Sequence, residues 1–287
     1  MVDYGIFEGH GKKKAALVFS GGALRGFSQF GAYKVIYDYL EKNGYYISKV
    51  AGTSFGSITA CLVSLGYTPD EICEFARRSD FRLSNIADLK LGDMGLLKGD
   101  KLKNDLMVSV GDRFLSDSRC DIALTTVDIK TGDEFIFTRE GLFSSTGSLS
   151  FVEDIKMIDA IRASSAIPGL FMPIKKYGKI LVDGGLVSAL PLHTVDMESY
   201  DLVIAVDVCM GNFNFITDEK PNKIQMIQQS ISILQRQFVF EKIEKRLNEH
   251  KNLILVKPDV GPVKPGRRSE LERVIRLGQE SAKKILG

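Results

Sequence analysis

Several chemistries are hard to build from this sequence because their residues are missing. Its four cysteines, Cys61, Cys73, Cys120 and Cys209, are scattered through 287 residues without a C-x-x-C pair. Neither a zinc site nor a disulfide framework is indicated, and small core residues are the plain reading. There is no H-E-x-x-H and no D-x-[DN]-x-[DN]-G loop, so no motif calls for a metal. No run approaches the ~18 apolar residues that a membrane crossing needs. The opening M-V-D-Y-G-I-F-E-G-H-G carries acids and glycines where a secretory signal has a basic start and an apolar stretch, so a cytoplasmic protein is expected. Charge is nearly balanced, 38 Lys and Arg against 36 Asp and Glu. That excludes a polyanionic partner such as nucleic acid, and the short runs Lys12 to Lys14 and Arg267 to Arg268 read as solvated tails. Nothing fixes an oligomeric state.

What is present is an ordinary globular composition, 44% hydrophobic and 26% charged. A chain of this length can bury roughly three quarters of its unfolded surface around one core, and a single domain over 1–287 is expected. The run A-A-L-V-F at 15–19 reads as a strand, 25–42 as a helix ending at Asn43-Gly44, and Y-I-S-K-V-A as a second strand. Ile58 to Leu65 reads as a second helix. This β-α-β-α opening implies a parallel sheet with helices on its faces. Helices are expected from Thr68-Pro69-Asp70-Glu71 and over 100–110, a hairpin at 121–138, and buried strands at 179–182, 202–208 and 252–256. Ile224, Ile227, Ile231, Leu234 and Phe238 recur at steps of three and four, which reads as a helix facing the core, with a partner or membrane surface as the alternative.

Two short stretches follow the first two strands. S-G-G-A-L-R-G at 20–26 is a glycine-rich turn whose backbone N–H groups can converge on an anion. A P-loop would need lysine where Phe27 stands, and Ala23 breaks the G-x-G-x-x-G of a dinucleotide fold. G-T-S-F-G at 52–56 fits a nucleophile elbow, Ser54 on a tight turn with Gly52 and Gly56 letting strand and helix approach. A serine needs a base. His193 or His250 could nominally complete the order Ser, acid, His of an α/β-hydrolase, but residue 54 leaves room for only two preceding strands, and both histidines read as exposed polar residues; His10 is the third. Asp183 ends an apolar strand and precedes Gly184-Gly185, at the sheet edge where α/β sites gather. On local sequence alone an ordinary turn aspartate is the better reading.

In this order and spacing, S-G-G-A-L-R-G, G-T-S-F-G and D-G-G resemble the patatin-like phospholipases, with further similarity in A-S-S-A-I-P-G-L-F at 163–171 and D-G-G-L-V-S-A-L-P at 183–191. The resemblance covers roughly residues 14 to 210, with helices and a strand over 221–287 completing the fold. It implies an α/β fold, a three-layer α/β/α sandwich with a mostly parallel central sheet. It also implies a Ser-Asp dyad with Ser54 as nucleophile and Asp183 as base, and needs no cofactor. The loop Gly21, Gly22, Ala23, Arg25 and Gly26 becomes an oxyanion hole, centred on the N–H groups of Gly22 and Ala23. Ala23 stands where many relatives carry a third glycine, and this is harmless unless the position requires positive φ. Arg25 either orients the loop or is a helix-surface arginine. The implied substrate is a lipid or phospholipid ester, met through transient contact with a membrane surface. A small-ester esterase, a neutral-lipid lipase and a catalytically silent scaffold are the rivals. Phe55, Leu170 and Phe171 are candidates for guiding an acyl chain, with core packing as the alternative.

Overall fold

The computed structural model describes residues 5–78, 100–145, 149–151, 154–209, 223–264 and 266–287. β1 (Lys13–Phe19) leads through a 3-10 turn (Ala23–Gly26) into α1 (Phe27–Lys42), then β2 (Tyr45–Thr53) and α2 (Phe55–Ser64). α3 (Pro69–Arg78) starts where Thr68 and Glu71 cap each other, the Thr68 N–H donating to Glu71 at 2.9 Å and the Glu71 N–H to Thr68 Oγ1 at 3.3 Å. α4 (Asp100–Val110) precedes a hairpin of β3 (Asp121–Asp128) and β4 (Glu134–Thr138). β5 (Gly141–Ser144), β6 (Leu149–Phe151), α5 (Met157–Ser164) and β7 (Ile174–Lys176) follow, none of them marked by the sequence pattern. β8 (Lys179–Asp183), β9 (Leu202–Val206), α6 (Lys223–Glu249), β10 (Leu253–Val256) and α7 (Arg268–Leu286) complete the order.

The strands form one mixed sheet in the order β10-β9-β1-β2-β3-β4-β5-β6, with β8 against β3 and β7 against β8. From β10 to β3 all neighbours are parallel, and β4 to β6 extend the sheet antiparallel. β1 is central, with β2 on one side and β9 on the other, so the strand order switches at β1, and at its carboxyl end open α/β sheets leave a crevice. β1 is apolar on both faces because both are covered. Ala15, Leu17 and Phe19 join a large core with α1, α2, α3, α5 and α7, while Ala16 and Val18 join a smaller one with Leu190, Leu192, Val195, Met197 and Ile243 of α6. Lys13 and Lys14 begin β1, and Arg268 begins α7, so these basic runs open elements rather than forming tails.

The two described side chains of the expected core stripe on α6 do not face a core. Leu234 is 58% exposed and Ile231 only partly buried, while Ile224, Ile227 and Phe238 have side chains outside the described residues. A 3,4 spacing states that residues share a face, and only the neighbouring elements decide whether that face is covered.

α1 and α7 cross in backbone contact. A Cβ on Gly31 would lie 1.8 Å from the Ile275 carbonyl oxygen, and one on Gly278 would lie 1.8 Å from that of Ser28. Backbone atoms cannot swing aside as a side chain can. Gly278→Val is therefore expected to separate the helices and cost about 3 kcal/mol or more, read as a lowered denaturant midpoint.

Candidate active site

The site lies at the carboxyl ends of β1 and β2. The Ser20 N–H donates to Val206 O at 3.0 Å, Ser20 Oγ accepts from the Val208 N–H at 2.8 Å, and Gln29 Nε2 reaches Ser20 O at 2.6 Å. These bonds fix the exit of β1 against β9 before the glycine-rich turn begins. At the next exit, Ser54 takes φ 54° and ψ −122°, a conformation that costs an L-residue energy and is held only by its surroundings. Its N–H donates to Ser164 Oγ at 2.9 Å, and its carbonyl accepts from the Ser57 N–H and hydroxyl. Gly52 and Gly56 permit the approach expected of them: a Cβ on Gly52 would lie 2.2 Å from Gly56 O, and one on Gly56 would lie 2.2 Å from Phe19 O.

The register of β3 brings Asp183 to Ser54. β2 pairs with β3 as far as Thr53 opposite Thr125, and β8, running the other way, pairs Asp183 opposite Thr126. β4 occupies the opposite edge of β3, so β2 and β8 meet end to end on one edge. Ser54 stands beside the Asp183 carboxyl and favours its ionised form, and the carboxyl accepts the Gly185 N–H at 2.7 Å. Asp183 is 6% exposed, and burial pushes its pKa up to about 6 against the opposing effect of those two neighbours. Beneath them Thr53 Oγ1 contacts Thr125 Oγ1 at 2.7 Å and donates to Ser188 O at 2.9 Å.

Neither histidine is a described partner of Ser54. His193 Nε2 lies 2.9 Å from buried Glu134, and His250 faces Glu198 at 3.7 Å with its side chain only 19% exposed, so His250 is more enclosed than its sequence suggested.

In the glycine-rich turn the Gly21 N–H donates to Ala189 O at 2.8 Å and the Arg25 N–H to Gly22 O at 3.1 Å. Among the described residues, the N–H groups of Gly22 and Ala23 have no protein acceptor, as expected at the start of a 3-10 turn. Ala23 does adopt positive φ, 47°, so this alanine holds a conformation that costs roughly 1–2 kcal/mol. A Cβ on Gly26 would enter the ring of Phe55 at 2.1 Å, so Gly26 serves close packing. Gly184 sits as tightly against Thr125. Arg25 is buried rather than on a helix surface; burial lowers its pKa to about 10, opposed by Cys209 and Asp207, and its Nε donates to Gly22 O at 3.4 Å. Cys209 packs at the edge of the smaller core. It is partly exposed, and its Sγ donates to Gly21 O at 2.9 Å. Asp207 is 1% exposed and accepts the Cys209 N–H, and burial pushes its pKa up. Phe55 packs on Phe27 at 4.9 Å in the core, Phe171 is buried and Leu170 is partly exposed.

Sequence reasoning did not single out Ser164, Thr53, Asp207 or Gln235. Ser164 was within reach, since it lies in the A-S-S-A-I-P-G-L-F stretch. The others contribute through long-range contacts that leave no local pattern.

The patatin-like phospholipase family model matches residues 17–196, more than half of the chain. The chain belongs to this family. It is 28% identical over 196 residues to an uncharacterized NTE family protein of Mycobacterium tuberculosis, a match covering 68% of this chain and 30% of that one. It is also 28% identical over 196 residues to Lysophospholipase NTE1 of Yarrowia lipolytica, covering 67% of this chain and 12% of that one. The chain thus spans less than a third of the length of either relative. The crystal structure of VipD from Legionella pneumophila shares the fold, with TM-score 0.58, 14% identity, and coverage of 96% of this chain and 67% of that one. No helix among the described residues is long and apolar enough to cross a membrane.

An acid whose pKa is raised on folding binds its proton more tightly in the folded state. Stability is then greatest below the unfolded value of 3.8, falls as pH rises towards about 6, and stays reduced above it. The difference is about 3 kcal/mol for a shift of this size. Asp183→Asn removes the ionisation, so its Tm is expected to exceed that of the parent at pH 8 by several degrees and to match it near pH 4. Thermal scans at both values check this.

Proposed function

We propose that this chain is a serine acyl hydrolase that cleaves fatty-acyl esters of phospholipids through a Ser54–Asp183 dyad. The observation that carries the reading is a serine on a strained strand-to-helix turn beside a buried carboxyl whose pKa burial raises to about 6. An unperturbed carboxylate is a weak base, and a raised value brings it closer to the range in which a general base works at neutral pH. Ser54 Oγ attacks the ester carbonyl carbon while its proton passes to Asp183. The carbonyl oxygen becomes an oxyanion, and Gly22 and Ala23 present N–H groups suited to it. Collapse expels the alcohol, which takes the proton from Asp183, and leaves an acyl ester on Ser54. Water then attacks that ester, Asp183 accepting and returning a proton, and the fatty acid departs. Membership of the family supports a lipid substrate. The absence of a described histidine partner for Ser54 supports a dyad over a triad.

Ser54→Ala is expected to abolish ester hydrolysis and fluorophosphonate labelling with the fold retained. Asp183→Asn should remove nearly all turnover, whereas His193→Gln with His250→Gln should stay within a few-fold of the parent. Activity in Asp183→Asn, or collapse in the double variant, would return the triad. An unlabelled parent protein would favour a silent scaffold. Rates on long-chain phospholipid, triacylglycerol and short soluble ester separate a phospholipase from a lipase or esterase.

The loop has its own test. A Cβ on Gly22 would lie 2.2 Å from Val208 Cγ2, and a β-branched χ1 leaves little room to adapt. Gly22→Val is expected to lower kcat by roughly a hundredfold or more, the cost of losing an oxyanion donor. Full turnover in this variant would assign the loop another task.

A further inference from the structure

The turn after β8 is held from two sides through one glycine. The Gly185 N–H donates to Asp183 Oδ1 at 2.7 Å, and the Gly185 carbonyl accepts from Gln235 Nε2 at 2.7 Å. A Cβ on Gly185 would lie 2.9 Å from both Asp183 Oδ1 and Gln235 Nε2, so the residue is glycine where carboxylate and amide close in together. Glycine has the freest backbone of all residues, and only its two ends can fix it. Gln235 lies in the middle of α6, and of residues 233–237 it alone is not exposed; Ile233 and Leu234 are 60% and 58% exposed. Apolar packing of its immediate neighbours therefore does not hold this stretch of helix on the turn.

We propose that Gln235 is a positioning residue for the reaction: it fixes the Gly185 backbone so that the N–H of this residue stays on Asp183. The proposal rests on the reading of Asp183 as the base. Without the amide donor, Gly185 turns more freely and its N–H spends less time on the carboxylate. A hydrogen bond to the ionised form favours ionisation, so its partial loss makes Asp183 harder to deprotonate. The other groups facing Asp183 cannot supply this control. Ser54, from the β2–α2 turn, is uncharged, and Cys209, after β9, has its thiol pushed up to about 12 by burial and stays neutral. Arg25 and Asp207 stand behind Cys209, facing one another's charge. From α6, Gln235 is neutral; Lys245, Arg246 and Glu249, with His193 from the segment after β8, line a cavity of about 330 Å³ beside Gly185.

The test is the pH profile of kcat and KM for a short soluble ester, from about pH 4.5 to 9, with the full chain. In Gln235→Leu the midpoint of the acidic limb is expected to move up by roughly half to one unit, with kcat near pH 6 falling about two- to fivefold. KM should stay the same, and the rate should recover on the alkaline plateau. Gln235→Glu cannot donate and adds a negative charge beside the turn, so its limb should move further. Gln235→Lys restores a donor and should bring the limb back towards the parent. Coincident profiles in all variants, or a rate reduced by the same factor at every pH, would overturn the role of Gln235. If Asp183→Asn retained the parent's activity, the dyad would fall and this proposal with it. Inactive Asp183→Asn beside an unmoved limb would overturn the Gln235 role alone.

Discussion

The edge of β3 that faces β2 carries two strands end to end, one parallel and one antiparallel, and the chemistry proposed for this protein depends on their meeting. β2 stops at Thr53 opposite Thr125, and β8 arrives from the other direction with Asp183 opposite Thr126. Hydrogen-bond register therefore brings the residue after one strand beside the last residue of the other. Side chains alone could not fix this as well, because each would cost rotamer entropy to hold. Here the ladder does the placing, and Ser54 and Asp183 need only point inward.

Around that junction, polar groups are buried in numbers a core usually avoids, and their bonds explain why the arrangement tolerates it. Thr53, Thr125, Ser164 and Ser188 sit beneath the dyad with their hydroxyl or carbonyl groups paired. Arg25, Asp207 and Cys209 form a second group behind the glycine-rich turn, each burial opposed by a neighbour's charge or hydrogen bond. A network of this kind is stiff, and a catalytic site benefits from stiffness, since donors fixed in advance need no reorganisation when charge develops. The strained φ values at Ser54 and Ala23 belong to the same region. Such conformations persist only where the surroundings over-determine them.

The two faces of the sheet are covered differently. One carries α1, α2 and α7 in intimate contact, with glycines at the closest points. On the other, the segment from Ala189 to Met197 and a single described apolar residue of α6, Ile243, close a smaller core. This same helix carries the hydrogen bond from Gln235 to the turn that bears Asp183.

Much of the fold was legible because its central strands are buried on both sides and read as unbroken apolar runs. Glycine and capping residues punctuated them where the backbone required it. The motif trio also disclosed the family, since G-T-S-F-G and the glycine-rich turn encode backbone shapes that few other sequences permit. Short antiparallel strands such as β5 and β7 left too few residues for a periodic signal, and the α6 stripe gave a face without saying what, if anything, lay against it. For Arg25 a helix-surface position stayed open beside a loop-orienting one, because local sequence cannot show that Asp207 and Cys209, nearly two hundred positions later, stand near it. The sequence by itself determined the family motifs and the local turns on which Ser54 and the glycine-rich loop lie. The pairing of Ser54 with Asp183 was decided only by the tertiary structure, through the register of β3, as were the bonding of Gln235 to Gly185 and the raised pKa of Asp183. Register, burial and long-range hydrogen bonds belong to elements brought together from distant parts of the chain, and no local window contains them.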